Sequence, residues 1–328
     1  MSAIAGTTQT YGVGSAGGNR EDLEDIIWEL DPLETYCLTN FDQVKATSTF
    51  HEWELDAMTA PGANRQLEGD DGTFSSIVSP TRAGNYCQIS RKTFLVSGTQ
   101  EVVAKAGRKS ELMRQVKKQM KELKNDIEYA LTTNQTSSAG GATTARSCGG
   151  MESWIASTDN SGNGLRATTT ASASTAAFAA NSVTTPTDGT TTGSLTEAKF
   201  KEQFQLGWAA GGSDHIVLCG ATQKTAISAF SGISTKYNEV KGNNRATIVG
   251  SADIYVSEFG NHTILLHRHV RASVVLAIDP DYWAVAFLRQ PFMEELAKTG
   301  DGEKRQLLAE YTLVSRNHKA SAKVAACA

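Results

Sequence analysis

The chain has 328 residues, 40% apolar and 20% charged, with a formal net charge of −4. That is enough apolar content for one large core or two modest ones, and it lacks the basic excess of proteins that hold nucleic acid by its phosphates. The five cysteines (Cys37, Cys87, Cys148, Cys219, Cys327) are scattered, with no CxxC pair or Cys/His cluster, so neither a metal nor a cofactor is expected. No window approaches the ~18 apolar residues of a membrane span.

Residues 1 to about 20 are small, polar and Gly-rich, which predicts an extended arm that orders only against a partner. There is no basic n-region or apolar core of a signal peptide, so synthesis in the cytoplasm is expected. Leu23, Ile26, Ile27 and Leu30 suggest a short amphipathic turn ended by Pro32. Residues 46–55 and 86–96 are β-prone, and between them lies a polar segment interrupted by Pro61 and Pro80 and acidic at Glu68, Asp70 and Asp71. Connections within a compact hairpin rarely exceed about five residues. The spacing therefore predicts a projecting two-stranded finger.

The longest helical pattern follows. Leu112, Val116, Met120, Leu123, Ile127 and Leu131 make one apolar stripe, and the other faces carry Lys109, Glu111, Arg114, Lys117, Lys118, Lys121, Glu122, Lys124, Asp126 and Glu128. A helix from Arg108 to Leu131 is about 36 Å long, at about 1.5 Å per residue. After it, Met151 to Ile155 form a small apolar anchor in Gly/Ser/Thr-rich surroundings, and residues 160–193 are of low complexity, which predicts a surface excursion. Ser194-Leu-Thr-Glu197 reads as a capping box opening a helix with Phe200, Phe204 and Trp208 on one face, closed by Gly211-Gly212. A buried strand at 215–219 and a helix at 221–230 come next. Strands are then predicted at 252–259, 263–270, 273–278, 283–288 and 307–314, the last preceded by a turn at 299–302.

Motifs of chemistry fail on context. Gly12-Val-Gly14-Ser-Ala-Gly17 matches a dinucleotide fingerprint but has only polar residues before it, where a strand is required. Ala106-Gly-Arg-Lys-Ser110 lacks the upstream glycine of a phosphate loop. His262, His267 and His269 have no third ligand at a recognisable spacing and read as sheet-surface residues. Asp279-Pro-Asp281 reads as a turn. No nucleophile elbow or catalytic cysteine is present, and the chain is not expected to be an enzyme.

A set of segments carries a resemblance. They are Val96-Ser-Gly-Thr-Gln-Glu101 leading to Ala106-Gly107, then Lys121-Glu-Leu-Lys-Asn-Asp-Ile-Glu-Tyr-Ala-Leu131, then Thr144-Ala-Arg-Ser-Cys-Gly-Gly-Met-Glu-Ser-Trp-Ile155. Further on come Val249-Gly-Ser-Ala-Asp-Ile-Tyr-Val-Ser-Glu-Phe-Gly260, Asp279-Pro-Asp-Tyr-Trp283, Glu295-Leu-Ala-Lys-Thr-Gly-Asp301 and Ala309-Glu-Tyr-Thr-Leu313. Their order and spacing, from about residue 20 to about residue 320, resemble those of Hong Kong 97-type phage capsid proteins, and within them a family of tailed-phage major head proteins.

The resemblance implies an α+β fold with an N-terminal arm (1–45), an extended β loop (46–93), a peripheral domain (94–136 and 286–328) holding the long spine helix, and an axial domain (137–285) with a Ser/Thr-rich insertion near 160–193. It implies a major capsid protein, assembled in the host cytoplasm and resident in the virion. Such a protein self-assembles as hexamers and pentamers into an icosahedral head and encloses double-stranded DNA without sequence-specific binding. Expected partners are copies of itself, a portal protein, and scaffolding or decoration proteins. No long helical amino-terminal extension serves as a built-in scaffold, and a chain opening at Met1 is expected to keep its amino terminus. An encapsulin-type shell around protein cargo, or another virion component, are the alternatives. Charge complementarity points to Glu68, Asp70 and Asp71 of the finger meeting Lys117, Lys121 and Lys124 on a neighbour's spine helix.

Overall fold

A computed structural model of the protein describes residues 33–325 and 327, apart from 57, 70, 73, 75, 76, 78, 106, 156–165, 170–192, 214 and 231–252. Residues 1–32 of the expected arm (1–45), with the segment around Leu23–Leu30 in it, and most of the low-complexity stretch lie outside the described residues. Tyr36–Asn40 form a helix with Cys37 buried and Asp42–Lys45 a strand of the body, so the expected arm is too long by at least these residues.

The long stripe forms helix α3 (Glu111–Thr132), following the short helices α1 (Tyr36–Asn40) and α2 (Gly98–Val102). It starts three residues later than Arg108 because its cap is Ser110, whose hydroxyl accepts from the Met113 N–H at 3.2 Å. Glu101 on α2 adds a carboxylate there, accepting from the Glu111 and Leu112 N–H groups at 2.9 and 3.3 Å. Both satisfy amides that a helix start otherwise leaves unpaired, and the negative charge suits the helix dipole. The Arg114 hydrogen bond to Glu111 holds that carboxyl down to about 2. Along the stripe Leu123, Ile127 and Leu131 are wholly buried, whereas Leu112, Val116 and Met120 are half-buried.

Two sheets and a hairpin complete the α+β fold. A four-stranded sheet has the order β1 (Asp42–Lys45), β10 (Trp283–Glu295), β11 (Gly302–Ser315), β4 (Gln88–Ser97). A six-stranded sheet has the order β5 (Arg166–Thr169), β12 (Ala322–Ala325), β9 (Val275–Ile278), β6 (Ile216–Cys219), β8 (Gly260–Leu266), β7 (Ile254–Ser257). The hairpin is β2 (Phe50–Leu55) against β3 (Thr81–Tyr86). Helix α4 (Met151–Trp154) is the predicted apolar anchor, with Met151, Trp154 and Ile155 at most 1% exposed. Helices α5 (Glu197–Ala209) and α6 (Ala221–Ser228) flank β6 in sequence.

Five local expectations change. The β-prone run 86–96 does not pair with 46–55, because the chain passes from β3 at Tyr86 into β4 at Gln88, which joins β11 instead. The strands predicted at 283–288 and 307–314 extend to Glu295 and back to Gly302, the distal part of β10 mostly exposed and that of β11 half-buried between β10 and β4, with irregular register around Pro291, which cannot donate to the ladder. The capping residue of α5 is Thr196, accepting from the Lys199 N–H, and Trp208 is 59% exposed while Phe200 and Phe204 are fully buried. The chain end does not stay with the four-stranded sheet, since residues 322–325 pair between β9 and β5 in the other one. Strand β5 also lies within the low-complexity stretch expected to be only a surface excursion.

One apolar core joins both sheets. Leu123, Ile127 and Leu131 of α3 and Trp154 of α4 meet Val285, Leu307, Tyr311 and Leu313 from one sheet and Leu218, Leu276 and Ile278 from the other. On the far face of the six-stranded sheet, Phe200 and Phe204 of α5 and Ile227 of α6 pack on Val217, Cys219, Val275 and Ala277.

Inside the shared core stands a charge. Glu128 is fully buried, not on the solvated side of the spine with the exposed Lys124 and Asp126. Its carboxylate accepts from the backbone N–H groups of Cys37 (2.7 Å) and Leu38 (2.9 Å) and from His267 Nε2 (3.0 Å). His267 Nδ1 lies 3.3 Å from the His269 N–H and accepts from it, so Nε2 carries the proton it donates. Burial pushes the Glu128 carboxyl up, but the hydrogen bonds from His267, Cys37 and Leu38 outweigh it and hold the carboxyl below its ordinary 4.5.

A carboxyl whose folded pKa is depressed stabilises the fold above its unfolded pKa and stops doing so as pH falls through the folded one. Denaturation of the unassembled protein between pH 7 and 3 should therefore show stability falling below about pH 4.5. In Glu128→Gln that component should be absent, and stability at pH 7 should drop by about 3 kcal/mol, as when one partner of a buried charged network is removed. Parallel acid profiles for the two proteins would contradict an ionised Glu128.

Candidate inter-subunit surface

The finger is built on the β2–β3 hairpin, whose register runs from Phe50 opposite Tyr86 to Leu55 opposite Thr81. Its root is packed: Ala83 is 2% exposed and the Trp53 and Trp154 rings lie 5.4 Å apart. Towards the tip the surface becomes polar, with Arg82 and Glu54 paired at 3.9 Å and both largely exposed. Every described residue from 56 to 80 is exposed. Such a hairpin buries too little surface to be stable except through its root.

Of the predicted acidic residues, Glu68 and Asp71 are exposed at this tip and Asp70 lies outside the described residues. Lys117, Lys121 and Lys124 are exposed on α3. Among the described residues, Glu68, Asp71, Lys117 and Lys124 make no ion pair within the chain, unlike Asp126, which pairs with Lys92 of β4 at 2.6 Å. Glu68 and Asp71 on the finger and Lys117 and Lys124 on α3 are thus presented to solvent.

The charge pattern overlooked four apolar side chains on the same loop. Met58, Leu67, Phe74 and Ile77 are 100, 82, 103 and 97% exposed. Single exposed apolar residues are ordinary, but four large ones on one projection make it the candidate contact surface. The visible signal was a polar loop that still spends a Phe, an Ile, a Leu and a Met.

Other candidate chemistry resolves into structure. Cys37, Glu128 and His267 converge with ligand-type atoms within 4.8 Å of one another. His267 Nε2 carries a proton and both Glu128 oxygens already accept from N–H donors. Burial and the adjacent Glu128 push the Cys37 thiol well up, so it stays protonated. These residues form a closed hydrogen-bonded junction and do not fit a metal. The three histidines are not sheet-surface residues. His262 is buried, stacked on Phe204 with centroids 3.7 Å apart and bonded to Ser257 Oγ at 2.7 Å, and His267 is buried at the junction. Asp279 caps the predicted turn, its carboxylate accepting from the Asp281 N–H at 3.3 Å and the Ser213 N–H at 3.2 Å. The Gly12–Gly17 motif lies outside the described residues. No helix among the described residues is long and apolar enough to cross a membrane.

A packed body bearing an exposed projection with four exposed large apolar side chains suits an assembly unit. Comparisons with known proteins agree with that. The chain is 25% identical over 327 residues to the major capsid protein of Escherichia phage Phieco32, with 93% of each chain covered. Its fold matches a chain of the cyanophage A-1(L) capsid asymmetric unit with a TM-score of 0.68, 13% identity, and 98% and 99% of the two chains covered. It also matches the capsid of a native GTA particle, with a TM-score of 0.61 at 8% identity, covering 96% and 97%. These neighbours place the fold with the Hong Kong 97-type phage capsids. A family model described as SU10 major capsid protein matches residues 4–328. The chain belongs to that family, and its function is to form the shell of a phage capsid.

Proposed function

We propose that this protein builds a closed icosahedral head from hexamers and pentamers around double-stranded DNA, and that its finger is the element that reaches the neighbouring copy. The observation carrying this reading is the contrast between a buried root and a tip on which Met58, Leu67, Phe74 and Ile77 are almost wholly exposed. A second copy is the occupant that fits, because shell formation brings many copies to the same contact. Head-to-tail contacts of this kind propagate around symmetry axes and close into shells, and a copy held by several neighbours gains through effective concentration.

In this reading the role is structural rather than catalytic. The four-stranded sheet with α3 forms the peripheral domain, the six-stranded sheet forms the axial domain, and the residues before α1 serve as an arm laid across neighbours, while α1 and β1 belong to the body. Portal, scaffolding or decoration proteins complete the head, which assembles in the host cytoplasm. The mild net negative charge of −4 suits a container that need not grip DNA by its phosphates. Glu68, Asp70 and Asp71 meet Lys117, Lys121 and Lys124 of the next copy, the apolar tip residues supplying adhesion and the charges supplying register. Exposed ion pairs contribute only about 0.2–1 kcal/mol each, so the charges guide the contact more than they hold it.

Electron microscopy and sedimentation of the protein, expressed alone and with the genes beside its own, should show closed icosahedral particles. A permanently monomeric protein would contradict the reading, and particles filled with a co-purifying protein instead of DNA would point to a cargo shell. Reversing Glu68, Asp70 and Asp71 to Lys should raise the assembly threshold several-fold, most clearly at low salt. Further reversal of Lys117, Lys121 and Lys124 to Glu should restore it. An unchanged threshold in the first variant would remove the ionic contact.

A further inference from the structure

We infer that Asn85 is a positioning residue that sets the direction in which the finger leaves the body, and so the geometry of the contact it makes with the next copy. The inference rests on the reading that the finger reaches a neighbour.

Asn85 sits in β3 opposite His51, at the point where the hairpin enters the core, and is fully buried. A side-chain amide has two donors and two acceptor sites, and here all four are used. Its Nδ2 donates to the carbonyls of Gly149 (3.1 Å) and Leu313 (2.8 Å). Its Oδ1 accepts from Ser137 Oγ (2.8 Å) and from the Gly149 N–H (2.7 Å). One side chain thus ties the root strand to β11 once and to the connection between α3 and α4 three times. Ser137 continues the lock, its hydroxyl accepting from the Tyr86 N–H at 3.2 Å.

The packing around this node restrains the same strands. The Phe50 ring lies across Gly84, where any Cβ would stand 2.4 Å from its Cζ, and it packs on Tyr86 with centroids 4.5 Å apart. Beyond Leu55 and before Thr81 every described residue is exposed, so no other part of the chain corrects the direction set at the root. A small rotation there moves the tip by an amount that grows with the finger's length. Buried polar networks with every group satisfied are a means of specifying one geometry, beyond any stability they add. An apolar residue could fill the space of Asn85 but could not define the angle between β3, β11 and the 137–150 connection.

The test compares Asn85→Ala and the milder Ser137→Ala with two controls in the full-length protein. Ile227→Val, in the core beneath α6, lowers stability far from the finger. Replacing Met58, Leu67, Phe74 and Ile77 together by Ser removes the apolar tip without touching the body. Hydrogen exchange at 50–55 and 81–86, the thermal midpoint, the assembly threshold and the particle diameter are measured for each. Asn85→Ala and Ser137→Ala should speed exchange at the root, raise the threshold about tenfold, equivalent to about 1.4 kcal/mol of association free energy, and broaden the particle diameters. Ile227→Val should lower the thermal midpoint with diameters unchanged.

If the root variants exchange faster yet assemble into particles of normal threshold and diameter, Asn85 does not aim the finger. If Ile227→Val broadens diameters equally, the effect is one of stability and the inference is overturned. If the tip variant itself assembles normally, the finger is not the contact, and the reading on which the inference rests fails with it. Unfolding of Asn85→Ala alone leaves Ser137→Ala to decide between these outcomes.

Discussion

The fold depends on an ionised carboxylate at the meeting point of its layers. A buried charge is costly unless its lone pairs are satisfied, and removing one partner of such a group destabilises by about 3–5 kcal/mol. Glu128 meets that condition with donors from two directions: the first turn of α1 through Cys37 and Leu38, and the β8–β9 connection through His267. Neighbouring hydrogen bonds reinforce the same junction, since the Glu34 N–H donates to Asn125 Oδ1 on α3 and the Glu34 carboxylate accepts from the Arg268 N–H. The spine helix is thereby tied to the segment that leads into β1 and to the six-stranded sheet at once.

With the helix so placed, the rest of the body follows. Strand β1 enters the edge of the four-stranded sheet in parallel with β10, and the apolar stripe of α3 closes over a core shared by both sheets. A second buried carboxylate repeats the device at the chain's end. Glu152 of α4 receives a bidentate pairing from Arg271 and lies 3.6 Å from the Lys323 ammonium on β12. The buried charged groups of the body have partners within the chain, whereas the apolar residues of the finger tip are exposed. The division suits a protein whose last layer of packing comes from other copies of itself.

Much of this was legible in the residues. The period of Leu112 to Leu131 announced the spine, Met151 to Ile155 announced an anchor, and the long polar gap between β-prone runs announced a projection. The ordered segments from Val96 to Leu313 carried the resemblance to phage head proteins. Other features were not legible, for identifiable reasons. The distal parts of β10 (Arg289–Glu295) and β11 (Gly302–Gln306) are rich in charged and polar residues, so they lack the apolar alternation by which a strand is recognised. Strands β1 and β12 are four residues each, too short for periodicity to speak. Glu128 is one of nine charged residues of the same helix, and nothing in its spacing separates it from the solvated ones. Asn85 is one polar residue in a polar stretch. The acidic tip was visible as charge, but the exposed apolar residues beside it were not recognised as a candidate contact surface because their exposure is a property of the fold.

The sequence by itself determined the elements whose signals are local: a long amphipathic helix, a projecting loop, alternating strands, and the absence of any arrangement of nucleophiles or ligands at recognisable spacing. Only the tertiary structure decided which strand completes which sheet, which of many carboxylates goes inside, and which asparagine locks the finger's root. The physical reason is range. Helix period and turn chemistry act between residues a few positions apart. Glu128 meets Cys37 and His267 across 91 and 139 residues, and Asn85 meets Leu313 across 228, separations at which only the folded chain brings donor to acceptor.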